Sequence, residues 1–390
     1  MSQSRPPQSR LRAVFMRGGT SKAVMFRRAD LPEDLGEWPS IFTRVMGSPD
    51  PNGRQLDGMG GGTSSLSKIC VIGPPSRADA DVDYTFAQVA VDQDLVDFAS
   101  NCGNMSSAVG PFAVEEGFVA RPNGDAAVVR IHNTNTRKII VSRFPMDGEF
   151  AAVDGDLVLD GVAGSGAPIK LDFLSPAGAR TGKLLPAGAA TQSLDVPGLG
   201  TIMASMIDAA VPCVFVRAAD VGCAATERPD AMERDAALMA RLEAIRCAAS
   251  IAMGIAPDVN AAAKIPSAPK VAIVAPPVEQ RTLSGRVMAP NESDILVRML
   301  SIGQPHRAVP LTGALCLAVA CRVPGSIPNM IAPGTNDLGG DVRIGHPSGM
   351  VLVAADVRAG ASGIEAHAAT VYRTARRLFQ GEVLYRTPPT

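Results

Sequence analysis

The sequence predicts an α+β protein made of two β-rich halves, each built around one buried helix. Short apolar runs separated by Gly, Pro, Asn and Asp turns recur along the chain at strand spacing. One small-residue apolar segment of helical length stands in each half, at 105–118 and 310–320. With 390 residues and 46% apolar content the chain can bury a large core, in two domains or in one domain of two halves.

In chain order, residues 1–12 are polar, with two prolines and three arginines, and read as a short disordered lead with no signal-peptide core behind it. Strands are expected at 13–15, 23–26, 69–72, 86–91, 127–132 and 138–144. Pro74-Pro75-Ser76, Arg121-Pro122-Asn123-Gly124-Asp125 and Met146-Asp147-Gly148 supply turn chemistry between them. A Gly/Ala/Pro-rich bridge at 177–192 separates the halves, so the domains are placed at 1–187 and 188–390, with the last strand free to return to the first domain. Strands resume at 202–207 and 211–216, and a breaker-free Ala/Leu/Arg/Glu helix is expected over 234–253. Strands follow at 270–275, before Pro276-Pro277, and at 350–354. No residue-level repeat is visible, so the likeness of the halves rests on element order.

Thirty-seven basic and 38 acidic residues give no global field, and no basic run carries interleaved aromatics, which argues against a nucleic-acid partner. No apolar run approaches the roughly 20 residues of a membrane span. The seven cysteines are odd in number and dispersed, with no C-x-x-C pair, which fits a reducing cytoplasm better than a disulfide framework or a zinc site. No His, Asp or Glu pair has metal-ligand spacing, and there is no G-x-S-x-G elbow, so neither a metal nor a serine hydrolase is expected.

Four loops carry candidate chemistry. In the stretch from Ser100 to Gly110, Cys102 and Gly103 fall at the positive end of the 105–118 helix, flanked by Asn101 and Asn104. Unpaired N–H groups there favour a thiolate and can bind a carboxylate; the bland alternative is a buried cysteine acting as a small hydrophobe. Met16-Arg17-Gly18-Gly19-Thr20-Ser21-Lys22 follows a strand and offers donors from Arg17, Thr20, Ser21 and Lys22, either as an anion cradle or as a plain turn. Its spacing is neither a P-loop nor a dinucleotide fingerprint.

The third loop is 57–68, in which Gly62, Thr63, Ser64 and Ser65 can wrap a carboxylate before Lys68 opens an apolar strand. A lysine there is an edge residue pointing to water or a buried amine, and composition favours the edge. The fourth is Gly345-His346-Pro347-Ser348-Gly349, where His346 either binds a carboxylate or holds its own turn. His306 is equally ambiguous, and His132 and His367 have no supporting neighbours in sequence. Chemistry without metal or nucleotide leaves general acid and base catalysis, which Lys68 and Cys102 could supply.

Together these motifs resemble the PrpF family of 2-methylaconitate isomerases, 4-oxalomesaconate tautomerases and related tricarboxylate isomerases. The resemblance runs through 16–22, Met46-Gly47-Ser48-Pro49-Asp50-Pro51, Asp57-Gly58-Met59-Gly60-Gly61, Asp81-Val82-Asp83-Tyr84 and Asn101-Cys102-Gly103-Asn104. It continues through 270–277, His346-Pro347-Ser348-Gly349 and Arg373-Thr374-Ala375-Arg376-Arg377. It implies a diaminopimelate-epimerase-like fold, with two pseudo-symmetric β-barrel-like domains each wrapped around a central helix and the active site in the cleft between them. It also implies Lys68 and Cys102 as the catalytic pair. In the epimerases a second cysteine opens the second central helix; here Thr312-Gly313 stand at that place, so a two-thiol mechanism is not available.

The activity expected from the resemblance is cofactor-independent movement of a proton and double bond in an unsaturated di- or tricarboxylate, foremost 2-methyl-trans-aconitate to 2-methyl-cis-aconitate. The 63–68 and 281–285 segments look more like the methylaconitate branch than the tautomerase branch. Arg17, Thr20, Ser21, Lys22 and 62–65 are the expected clamps, with Asn101, Gly103, Asn104, Thr312, Gly313, His346 and Ser348 completing the pocket. The competing class is a non-catalytic carboxylate-binding accessory protein. A homodimer is also expected, since large β-rich halves often pair, though no interface stripe can be read.

Overall fold

The structure is a computed structural model that describes residues 7–98, 101–336, 340–360 and 363–387; Ser100 and the lead at 1–6 lie outside the described residues. The chain divides into two compact units, one comprising Met1–Asp172 and Tyr372–Thr390, the other Phe173–Val371. The boundary thus falls at 172/173 and not at 187/188, and the Gly/Ala/Pro-rich 177–192 segment lies inside the second unit.

In the first unit, Gln8–Gly18 and Ser21–Arg27 form an antiparallel hairpin around Gly19 and Thr20. Ser21–Arg27 then crosses over, through the Trp38–Met46 helix, to a parallel partner, Lys68–Gly73. Lys68–Gly73 pairs antiparallel with Val82–Val89, which is parallel to Ala126–Asn133, itself antiparallel to Lys138–Asp147. Lys68–Gly73 is buried along its whole length because both its faces are covered. Ile69 and Val71 pack with Trp38 and Phe42 of the crossover helix. Lys68, Cys70 and Ile72 therefore take the opposite face.

That opposite face meets the Gly103–Glu115 helix, which packs against Gln8–Gly18, Ser21–Arg27, Lys68–Gly73, Ala126–Asn133, Lys138–Asp147 and Ala375–Arg386. The helix is buried on all sides, from Met105 to Val114, as expected of a segment with no polar stripe. Each large side chain such as Phe112 contributes roughly 1.5–3 kcal/mol by leaving water. It begins two residues earlier than the sequence pattern indicates and stops at Glu115, just before Gly117 turns the chain with φ +75°.

The polar lead is corrected from 8 onward. Residues 8–12 are not disordered but lie in the Gln8–Gly18 strand, paired with Ala375–Arg386 from Gln8↔Arg386 to Arg12↔Glu382. Their partner lies at the far end of the chain, so no local pattern signals it.

The second unit repeats the same order. Gly200–Ala209 and Val211–Arg217 form an antiparallel hairpin, and Val211–Arg217 crosses over through the Ala236–Ala252 helix to parallel Lys270–Ala275. Lys270–Ala275 is antiparallel to Ile295–Ser301, which is parallel to Val342–His346, itself antiparallel to Gly349–Gly360. Leu242, Ile245 and Ala249 cover one face against Val214, Val216, Val271 and Ile273. The buried Leu311–Cys321 helix packs on Gly200–Ala209, Val211–Arg217, Val342–His346 and Gly349–Gly360. Two units of like topology, each with a crossover helix outside and an apolar helix inside, make this the α+β protein that the sequence predicts.

Candidate active site

Lys68 is the first residue of its strand and is only 7% exposed. The edge reading is overturned, because the strand lies between Ser21–Arg27 and Val82–Val89. Gln88 stands directly opposite in register, and Lys68 Nζ donates to Gln88 Oε1 at 2.5 Å. The Gln88 amide is held in that orientation because its Nε2 donates to the carbonyls of Ser67 at 2.8 Å and Ser64 at 3.0 Å. The Phe86 ring lies 5.1 Å from Nζ and closes another side.

The glycine-rich loop before Lys68 is organised by Gln55, 1% exposed and in the left-handed region at φ 54°. Its Nε2 donates to Ser48 Oγ at 2.8 Å and Ser67 Oγ at 2.7 Å, and its Oε1 accepts the Gly62 N–H at 3.0 Å. Asp50 accepts the N–H groups of Asn52, Arg54 and Gln55, which holds its carboxyl below the ordinary range. The Gly62 N–H expected to face a carboxylate is thus taken by Gln55. Thr63 and Ser65 bond to each other at 3.1 Å, and Ser64 supports Gln88 through its carbonyl.

Cys102 is the N-cap of the Gly103–Glu115 helix, with φ −110° and ψ 97°, half-buried, and its side chain makes no capping bond. Its carbonyl accepts the N–H of Ser106 at 3.0 Å and the Ser106 hydroxyl at 3.2 Å, so backbone, not sulfur, seals the first turn. Asn101 Oδ1 accepts from buried Asn133 at 3.1 Å. Asn104 Nδ2 donates to Thr20 Oγ1 at 3.1 Å, joining the helix start to the hairpin turn. Gly18 permits that approach, since a Cβ there would lie 2.7 Å from the Asn104 carbonyl oxygen.

Beneath these groups lie Cys70 and Tyr84, both fully buried, with Sγ and Oη 3.8 Å apart. Burial pushes both the thiol and the phenol up; negative charge on Cys102 adds to the shift of each, whereas Lys68 opposes that of Cys70. Lys68 and Cys102 therefore act on one common neighbour.

Of the other expected clamps in this unit, Arg17 ties the hairpin to the terminal segment: its Nη1 donates to the carbonyls of Gly19 and Thr374, each at 3.0 Å, and to Thr374 Oγ1 at 2.9 Å. Lys22 sits 5.6 Å from the Phe15 ring, and Ser21 is buried. In the second unit, Thr312 and Gly313 lie in the first turn of Leu311–Cys321, whose N-cap is Pro310. His346 is 4% exposed and its Nδ1 accepts the Ser348 N–H at 3.2 Å, while Ser348 Oγ donates to the Arg307 carbonyl at 2.7 Å. His132, which had no neighbour in sequence, lies 2.9 Å from Asp83 Oδ1 and 3.2 Å from Ser76 Oγ. Gln88, Gln55, Cys70 and Tyr84 are not singled out as site residues by the sequence; cross-strand pairing brings Gln88 and Tyr84 to the Lys68 strand, Cys70 lies two residues on in that strand, and Gln55 comes from the preceding loop through Ser67.

A PrpF family model, described as PrpF protein, matches residues 8–386. A 2-methyl-aconitate isomerase of Shewanella oneidensis is 39% identical over 394 residues, covering 98% of each chain. A 3-methylitaconate isomerase of Eubacterium barkeri is 39% identical over 378 residues, covering 96% of this chain and 97% of its own. A solved structure described as methylitaconate-delta-isomerase superposes with a TM-score of 0.90 at 39% identity, covering 98% of this chain and 97% of that one. Likeness of this extent to named isomerases makes the protein an isomerase. The chain belongs to the PrpF family.

Proposed function

We propose that the protein moves a proton within an unsaturated polycarboxylate, converting 2-methyl-trans-aconitate to 2-methyl-cis-aconitate, with Lys68 and Cys102 as the acid–base pair. The observation that carries this reading is the presence, within one unit, of a buried amine held by the Gln88 amide and of a thiol that makes no capping bond at the N-cap of the buried helix.

A C–H bond allylic to C=C and conjugated through it to a carboxylate is weakly acidic, so it needs a positioned base and stabilisation of the charge that develops. The first N–H groups of the Gly103–Glu115 helix have no intrahelical acceptor and supply that stabilisation. Loss of the allylic proton leaves a delocalised anion in which the former double bond has single-bond character. The bond rotates, and a proton returns. Return to the same carbon changes geometry only, and return to the other end of the delocalised system moves the double bond. One member of the pair accepts the proton and the other delivers one, so no net proton is consumed.

The equal identity to relatives named for a tricarboxylate and a dicarboxylate makes 3-methylitaconate the second substrate to test. The seven thiols are all unpaired, which fits the reducing cytoplasm we propose as its compartment. The test is proton NMR in D2O with 2-methyl-trans-aconitate, 3-methylitaconate, trans-aconitate and 4-oxalomesaconate. Turnover of the first with deuterium incorporation, lost in Lys68→Ala and in Cys102→Ala, is the expected result. Retained turnover in both variants would sink the assigned pair, and exchange with none of the four compounds would sink the substrate class.

A further inference from the structure

Arg373 is an unmatched buried cation. The residue is 8% exposed, and burial lowers its pKa to about 10. Nε donates to Asn104 Oδ1 at 3.0 Å and Nη1 to the Tyr372 carbonyl at 2.9 Å. Nη2 has no partner among the described residues, and no carboxylate there pairs with the guanidinium. Four residues on, Arg377 shows the contrast, bonded to Glu115 at 2.7 Å and Glu116 at 3.0 Å. A buried guanidinium without a carboxylate is costly unless an anion completes it.

Its place is fixed from several sides. Gly19, at φ +52°, leaves the stem its path, because a Cβ there would lie 3.1 Å from Arg373 Cδ. The Gly19 N–H bonds the Thr374 carbonyl at 2.8 Å, and Arg17 grips the same residue. Asn104 holds the head at the start of the Gly103–Glu115 helix, where Cys102 is the negative group acting on it. The cation expected of Arg17 is thus supplied by a residue more than 350 positions away, while Arg17 serves to hold it in place.

We propose that Arg373 binds one carboxylate of the substrate beside Cys102, with its free Nη2 and the adjoining helix N–H groups as donors. This rests on the isomerase reading above and names the residue that anchors the polyanion. The test separates the two by using propane-1,2,3-tricarboxylate, which has no double bond to isomerise. Calorimetry of the wild type, Arg373→Gln and Arg373→Lys gives Kd for this compound, and steady-state kinetics with 2-methyl-trans-aconitate give KM and kcat.

The expected result is a rise of about tenfold or more in both Kd and KM for Arg373→Gln. Arg373→Lys, which keeps the charge but loses the planar fork, should fall between it and the wild type. Unchanged Kd and KM in Arg373→Gln, with kcat alone reduced, would overturn the proposal and make Arg373 a support for the thiol. Should Arg373→Gln not fold, unchanged Kd and KM in Arg373→Lys overturn it equally. Failure of the wild type to bind the tricarboxylate also overturns it. Arg373-dependent binding without turnover of any unsaturated acid would uphold Arg373 and reject the isomerase substrate instead.

Discussion

The two units share a strand order but differ where it matters chemically. In each, the strand after the crossover helix opens with a lysine that reaches a polar side chain on the neighbouring antiparallel strand: Lys68 to Gln88 in the first unit, Lys270 to Ser301 at 2.8 Å in the second. In the first, the central helix opens on Cys102; in the second, on Pro310, which has neither a thiol nor an N–H. The second unit places His306 near Lys270 instead, with a buried Nε2 that has no partner among the described residues, and its cysteines at 213 and 316 are fully buried. On the proposed reading, a lysine at a strand start is not enough to make a reaction centre. The first unit adds an amide locked by backbone carbonyls to aim the amine, and a thiol left free at a helix mouth.

Breaking the pair directly gives the largest effect. Lys68→Ala and Cys102→Ala should each lower kcat/KM by roughly 10²–10⁴, the range of a lost general acid or base. Lys270→Ala should change it by less than about threefold. A comparable loss in Lys270→Ala would abolish the asymmetry between the units.

Removing the orienting amide comes next. Gln88→Leu leaves the Lys68 amine in place but frees its direction, and should lower kcat about tenfold or more with a smaller change in KM. An unchanged kcat would show that Phe86 and the strand hold the amine unaided.

A comparison of two glycines sharpens the difference in packing. Gly18→Ala drives a Cβ to 2.7 Å from the backbone oxygen of Asn104, which cannot yield, and should destabilise by ~1–3 kcal/mol in urea unfolding. Gly313→Ala meets the Met299 sulfur at 2.2 Å, a flexible side chain that can turn aside, and should cost less. The reverse order would mean that the second unit's helix is packed more tightly than the first's.

At neutral pH the smallest expected effect is that of His306, which acts only as the pH falls. Burial, with the charge of Lys270 adding to it, lowers its pKa from 6.5 to about 4 in the folded chain. The unfolded chain takes up this proton as pH falls through 6.5, while the folded chain does not until about 4. His306 therefore leaves stability undiminished above pH 6.5 and erodes it progressively down to about 4. Thermal melts of wild type and His306→Gln across this window should diverge in slope, the variant losing less stability. Parallel slopes would show that His306 carries no linkage.

Much of this protein is legible locally. Apolar runs bounded by turn residues mark the strands of both hairpins, and the unbroken 234–253 pattern marks the helix found at Ala236–Ala252. Cys102, with small polar residues around it, is readable from its neighbours alone as the opening of a helix, and its N-cap position bears that out. The sequence could not settle Lys68, because whether a lysine at the start of an apolar strand meets water depends on what flanks that strand. Nor could it show that the two halves share one pattern of pairing, since the repeat lies in strand order and not in residues.

The sequence by itself determined the strands of both hairpins and the two buried helices, where the small polar loops fall, and which family's motifs the chain carries, because each of these is written in neighbours a few positions apart; it did not mark the Trp38–Met46 helix or the Ile295–Ser301 and Ala375–Arg386 strands. Tertiary structure decided the pairing of residues 8–12 with the chain's end, the placing of Gln88 against Lys68, and the arrival of Arg373 at Asn104. Those contacts join positions from about twenty to several hundred residues apart, and register and burial, which arise only when the sheet closes around its helix, bring them together.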